Sequence, residues 1–107
     1  MTTSPPAKPF SVVATEAVAN PAAVLLDVRR DDEWSTGHAR GALHWELSKL
    51  EAGEWPNVPK EADLYTYCAA GGRAGQAAAL LKSAGWANVQ NLGGLKDWQA
   101  AGGAVEK

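Results

Sequence analysis

Apolar residues gather in five short runs: Phe10 to Val13, Val24 to Val28, Ala42 to Trp45, Leu64 to Tyr67 and Val89 to Leu92. Such runs, bounded by turn formers, read as strands, and their alternation with helix-patterned stretches predicts an α/β fold. Val24-Leu25-Leu26 shows no polar alternation, the pattern of a parallel strand buried on both faces, and it leads into Asp27. Between the runs, Thr15 to Ala19 reads as a short helix stopped by Asn20-Pro21. Asp31 to Trp34 opens a helical turn with acids at its positive end, and Gly37 ends it. An alanine-rich stretch after Arg73 places Ala77, Leu80, Leu81 and Ala84 on one helical face before Gly85 stops it. Leu95 to Ala101 gives a last helix, closed by Gly102-Gly103.

Against this pattern Cys68, the only cysteine, falls where an apolar run breaks into four small residues, Ala69, Ala70, Gly71 and Gly72, closed by Arg73. The thiol is thereby predicted at a strand-to-helix turn. Gly71 and Gly72 allow successive N–H groups to converge on one point, the helix N-terminus adds partial positive charge, and Arg73 adds a full one. A sulfur anion is stabilised in such a place. A cysteine ending a strand is also commonly a small core residue, but a core cysteine needs no adjoining loop of glycines closed by arginine. Because ligands of open parallel sheets bind outside the carboxyl ends of strands, the ends at Asp27 and Cys68 are expected to face one crevice, with Arg29 or Arg30 near the thiol.

Composition narrows the function. The 107 residues suit one domain, expected over 10–107 after a proline-rich lead-in at 1–9. A net charge of -2, with no lysine or arginine run, is not the footprint of a nucleic-acid binder. No apolar run approaches the roughly 20 residues that cross a bilayer, and no membrane partner is expected. Residues 1–9 lack a hydrophobic signal core, so the cytoplasm is the default compartment; a periplasmic chain with its signal removed would read the same way. A single cysteine excludes an intrachain disulfide and fits a reducing compartment.

Other candidate chemistry is weaker. His38 and His44 have no acidic residue at a spacing that reads as a ligand set, so no metal is expected; His38 reads as a turn residue satisfying a backbone group, and His44 as a strand residue. The five tryptophans are scattered without a stacking period and read as packing residues. Gly71 to Gly75 has the wrong glycine spacing for a nucleotide loop and lacks its lysine, and no cofactor is expected.

Taken together, several segments resemble one family. Leu25-Leu26-Asp27-Val28-Arg29, then Glu33-Trp34, then Gly37-His38-Ala39-Arg40-Gly41-Ala42 look like the amino-terminal signature of rhodanese domains. Tyr67-Cys68-Ala69-Ala70-Gly71-Gly72-Arg73 resembles the rhodanese active-site loop, and Ala84-Gly85-Trp86, Val89, Leu92-Gly93-Gly94 and Trp98 follow in the family's order. The resemblance runs from about Phe10 to the C-terminus and is greatest to the small single-domain bacterial members. It implies a five-stranded parallel sheet with helices on both faces and a sulfurtransferase moving sulfane sulfur from a donor such as thiosulfate to cyanide, a small thiol or an acceptor protein. Carried over by position, Cys68 would hold the persulfide, Ala69, Ala70, Gly71 and Gly72 with Arg73 would form its cradle, and Asp27 and Arg29 would brace the loop.

The chain departs from many relatives at Ala69, where they have arginine, at Ala74, where they have serine, and at Arg40, where they have proline. Its loop is less cationic, which bears on how a dianion such as thiosulfate is held. Phosphatases and arsenate reductases that share the fold separate cysteine from arginine by five residues; here four intervene, the sulfurtransferase spacing. A rhodanese-like binding module without catalysis would normally have lost the cysteine, and a thiol oxidoreductase would normally carry a second one.

Overall fold

A computed structural model of the chain describes residues 8–107. The lead-in expected at 1–9 lies outside the described residues except for Lys8 and Pro9. Four parallel strands form the central sheet in the order β3-β1-β4-β5, with β1 at Val24–Asp27, β3 at Leu43–His44, β4 at Leu64–Cys68 and β5 at Val89–Gly94. Every residue of β4 is buried, as expected of a central strand covered on both faces. Its alternation sends Leu64 and Cys68 into one core cluster and Tyr65 and Tyr67 into the other.

Helices cover both faces, as the resemblance implied. On the Cys68 face, α3 (Leu47–Glu51) and α4 (Gly72–Ser83) bring Leu50, Ala74, Ala77, Ala78 and Leu81 against Leu26, Leu64 and Val89. The opposite face is covered by α1 (Phe10–Ala19) and α5 (Leu95–Ala100), which set Val13, Ala14, Ala17 and Trp98 against Leu25, Tyr65, Tyr67 and Leu92. Burying a leucine such as Leu26 or Leu81 contributes about 1.5–3 kcal/mol, and both are fully buried.

The parallel sheet has four strands among the described residues, where five were expected. The run Phe10 to Val13, read as a strand, is the first turn of α1. With Pro9 at the N-cap, Phe10, Val13, Ala14 and Ala17 take helical i, i+3, i+4 and i+7 positions, and the last three are buried. A four-residue apolar run carries no period of its own, so this longer stripe decides. Two strands of two residues each, β2 (His38–Ala39) and β6 (Val105–Glu106), form a separate antiparallel ladder. Neither they nor α3 were legible beforehand.

Two local features shape the end of β4. Leu92 is an extra residue in β5, so Thr66 pairs with Asn91 while Tyr67 pairs with Gly93, a bulge at the end of the strand that pairs with the last residues of β4. Gly71, the N-cap of α4, adopts φ +101, a left-handed conformation open to glycine at little cost.

Candidate active site

Cys68 closes β4 and is 1% exposed, with the loop that follows lying over its sulfur through the N–H groups of Gly71 and Ala74. The N–H of Gly71 donates to Sγ at 3.0 Å and the N–H of Ala74 at 3.4 Å. The first N–H groups of a helix lack intrahelical acceptors. In α4, Ala74 directs its own to sulfur, while Gly75 bonds Gly71 O at 2.9 Å. Gly72 and Arg73 open the same helix end, and Ala69, Ala70 and Gly72 are exposed.

Packing from below holds this geometry. The side-chain amide of Asn91 donates to Gly71 O at 2.8 Å and its Oδ1 accepts from Gly93 N at 2.8 Å, while Thr66 Oγ1 donates to Ala74 O at 2.9 Å. A Cβ on Gly71 would lie 2.8 Å from the Phe10 ring, and one on Gly94 would overlap the Ala69 carbonyl oxygen. The loop thus rests on α1 and β5 at two glycines that leave room for it. Asn91 escaped the sequence reading; its signal was a polar side chain inside the run Val89 to Leu92.

Arg73 does not turn its fork toward the sulfur. Nη1 and Nη2 donate to Glu33 Oε1 and Oε2 at 2.7 and 2.9 Å. Glu33 sits in the short helix α2 (Asp31–Trp34), and its Oε1 also accepts from Arg30 N at 3.2 Å. The hydrogen bonds from Arg73 hold the Glu33 carboxyl at a pKa of about 2, so the pair stays charged at neutral pH. Glu33 is a further residue of the site. Its place after Asp31-Asp32 suggested a helix start, and the resemblance included it with Trp34 without a role; its partner lies 40 residues away. Arg73 also lines a cleft of about 270 Å³ with Arg30, Ser48, Glu46 and Glu51.

Strands β1 and β4 are neighbours with Asp27 opposite Tyr67, so the ends at Asp27 and Cys68 do lie side by side. Of the two arginines, Arg29 or Arg30, expected near the thiol, Arg29 faces away from it. Its Nε and Nη2 fork onto Asp27, Nη2 also donates to Gly37 O at 2.6 Å, and the guanidinium lies over the Tyr67 ring, on the sheet face opposite Cys68. Tyr67 O–H donates to Asp27 Oδ2 at 2.6 Å and accepts from Ala39 N at 3.0 Å. Burial, reinforced by that carboxylate, pushes the Tyr67 hydroxyl far above its usual range, keeping it a donor. Asp27 and Arg29 therefore fasten β2 and the end of β1 to the residue before Cys68. Arg30 is the arginine that reaches the cleft.

His38 stacks on Trp34 at 3.5 Å with its Nδ1 3.2 Å from Trp34 O, so its ring does meet a backbone group, but it opens strand β2 rather than standing in a turn. His44 stacks on Trp34 at 4.7 Å, with Nε2 2.7 Å from Arg29 O.

Comparison with known proteins agrees with this architecture. The Rhodanese-like domain pattern matches residues 13–101. Thiosulfate sulfurtransferase PspE of Escherichia coli is 36% identical over 73 residues, covering 67% of this chain and 70% of PspE. Thiosulfate:glutathione sulfurtransferase of Saccharomyces cerevisiae is 31% identical over 97 residues, covering 78% of this chain and 70% of the yeast protein. Other curated relatives are longer, and the chain spans from 19% to 60% of them. The crystal structure of a Rhodanese_3-like domain from Anabaena sp. superposes with a TM-score of 0.73 at 37% identity, covering 80% of this chain and all of that one. No helix among the described residues is long and apolar enough to cross a membrane. With the pattern spanning most of the chain, and with single-domain sulfurtransferases among its relatives, the chain belongs to the rhodanese-like family.

Proposed function

We propose that the chain is a sulfurtransferase that carries sulfane sulfur as a persulfide on Cys68. The observation that carries this reading is the pair of backbone N–H groups, from Gly71 and Ala74, aimed at Sγ at the end of a buried strand. In the first half-reaction the Cys68 thiolate attacks the outer sulfur of thiosulfate. The S–S bond of the donor breaks, its electron pair leaves with sulfite, and Cys68 keeps the outer sulfur. In the second, an acceptor thiolate, or cyanide in an assay, attacks the terminal sulfur, and the Cys68 thiolate leaves with the bonding pair. No net oxidant or reductant is needed.

A terminal persulfide sulfur extends past Sγ toward the helix end, where the N–H groups of Gly72 and Arg73 are placed to take its charge as an oxyanion hole would. Ala69 and Ala70 close the cradle without adding charge. Arg73, with its fork on Glu33, fastens the loop to α2 rather than acting as a free clamp, and Asp27 with Arg29 keeps Tyr67 and the end of β4 in register. Acceptors of the small-thiol class, or a thiol on a protein, fit a cleft that carries both arginines and glutamates. A lone free cysteine supports a reducing compartment such as the cytoplasm.

Intact-mass measurement tests the proposal. Thiosulfate is expected to add the mass of one sulfur atom, cyanide to remove it, and Cys68→Ser to abolish both changes. A wild-type chain that gains no sulfur from thiosulfate, 3-mercaptopyruvate or a glutathione persulfide would instead indicate a binding module. Substantial hydrolysis of an aryl phosphate would indicate phosphatase chemistry.

A further inference from the structure

The tertiary fold assembles a second cluster of ligating groups that the sequence spacing concealed. Asp31 opens α2, while His44 ends β3 and Glu46 follows two residues later. One ligating atom from each of these three side chains lies within 4.8 Å of the others.

We infer that Asp31, His44 and Glu46 form a binding site for one divalent cation of the zinc class, at the rim of the cleft. The argument rests first on the tautomer of His44. Its Nε2 stands 2.7 Å from the carbonyl oxygen of Arg29, which can only accept, so Nε2 carries the proton. In the neutral ring this leaves the Nδ1 lone pair facing Asp31 Oδ1 at 3.3 Å, two acceptors with no hydrogen between them. Either a second ring proton or a cation resolves that juxtaposition. The spacing suits the cation, since ligands about 2.0–2.1 Å from a tetrahedral zinc stand about 3.3–3.4 Å apart.

The second support is the setting of the ring. Histidines that bind metals almost always donate their other N–H to a carbonyl or carboxylate, which fixes tautomer and orientation. Here the Arg29 carbonyl does this, and Trp34 stacks on the ring at 4.7 Å with an 11° tilt. The imidazole is therefore preset, while the Asp31 side chain is 87% exposed and free to close on an ion. Arg30, the nearest basic residue in sequence, is drawn to Asp32 at 3.1 Å and does not occupy the gap. One imidazole and two carboxylates suit a borderline cation better than calcium or magnesium, and three protein ligands leave a position for water. Because Glu46 also lines the cleft, the ion would neutralise a carboxylate beside Arg30 and Arg73. This inference does not depend on the sulfur chemistry.

The test uses the full untagged chain with Cys68→Ser, so that no thiol competes for metal. Zinc chloride is titrated by calorimetry while long-range proton–nitrogen NMR follows the two imidazoles. The expected result is one equivalent bound, with the His44 Nδ1 resonance displaced and His38 unmoved as an internal control. Asp31→Asn, an exposed and structurally mild change, and His44→Ala should each weaken binding at least tenfold. Three results would overturn the inference: no displacement of His44 Nδ1 at excess zinc, unchanged affinity in Asp31→Asn, or a His44 ring doubly protonated at pH 7.5 that zinc leaves untouched, which would make the cluster an ion pair.

Discussion

The contact between Glu33 and Arg73 joins α2 to the cysteine loop, and a double-mutant cycle measures its strength. Both side chains are partly buried, 21% and 31% exposed, and the bond is a two-pronged one at 2.7 and 2.9 Å. Exposed ion pairs give about 0.2–1 kcal/mol. A shielded bidentate pair should exceed that, and about 1–2 kcal/mol is expected here. Glu33→Gln, Arg73→Gln, the double variant and the wild type are unfolded in urea and followed by tryptophan fluorescence; the coupling energy is the departure from additivity. The sign of its pH dependence follows from the depressed carboxyl. A group whose folded pKa lies below its unfolded value contributes stability that is fully present above the unfolded value and lost as pH falls through the folded one. With an unfolded value of about 4.3 and a folded one of about 2, the contribution of Glu33 should match at pH 7 and pH 5.5 and be about half gone at pH 3. In catalysis the two single losses in kcat/KM should not add. A coupling below about 0.3 kcal/mol at pH 7, or one indifferent to acid, would refute the pair as a fastening of the loop.

Four further outcomes are expected. Gly71→Ala forces a Cβ onto a residue at φ +101 and to within 2.8 Å of Phe10; it should cost about 1–3 kcal/mol in urea denaturation and slow persulfide loading, with Phe10→Ala restoring only the steric part. Asn91→Leu removes the bond to Gly71 O and should lower stability by about 0.5–1.5 kcal/mol while reducing the loading rate; an unchanged rate would show that the loop keeps its shape without it. Tyr67→Phe strands the Ala39 N–H and deprives Asp27 of a donor, so a loss of about 1.5–3 kcal/mol is expected with sulfur loading retained, because Tyr67 points to the face opposite Cys68. Arg73→Lys cannot make two parallel bonds to Glu33 and should lower kcat/KM for thiosulfate by about 10- to 100-fold in a steady-state cyanide assay; an unchanged value would remove Arg73 from the site.

The sequence by itself determined the parts whose signals are local. Val24 to Leu26 read as a strand buried on both faces because it does not alternate with polar residues, and Leu64 to Tyr67 read as a strand because it is a short apolar run bounded by turn formers. The alanines after Arg73 read as a helix, and the glycine pair between Cys68 and that helix marked the cradle; each judgement draws on residues within one or two turns of chain. Where local signals were ambiguous, tertiary contact decided. Phe10 to Val13 became a helix because Ala14 and Ala17 extend its buried stripe against β5 and α5. The strands β2 and β6 are two residues each and exist only as each other's partners.

The charged pairings were beyond local reading for the same reason. Glu33 with Arg73 and Asp27 with Tyr67 each span 40 residues, and they meet because β1 and β4 are neighbours in the sheet. The same order sets β3 beside β1 and brings His44 to the carbonyl of Arg29 and the carboxylate of Asp31. Propensity and hydrophobic period act over a few residues, so they fix which segments are strands and helices and where the thiol falls between them. The direction of a guanidinium is settled by whichever carboxylate the packed strands bring within hydrogen-bonding reach, and that depends on strand order, which no local period encodes.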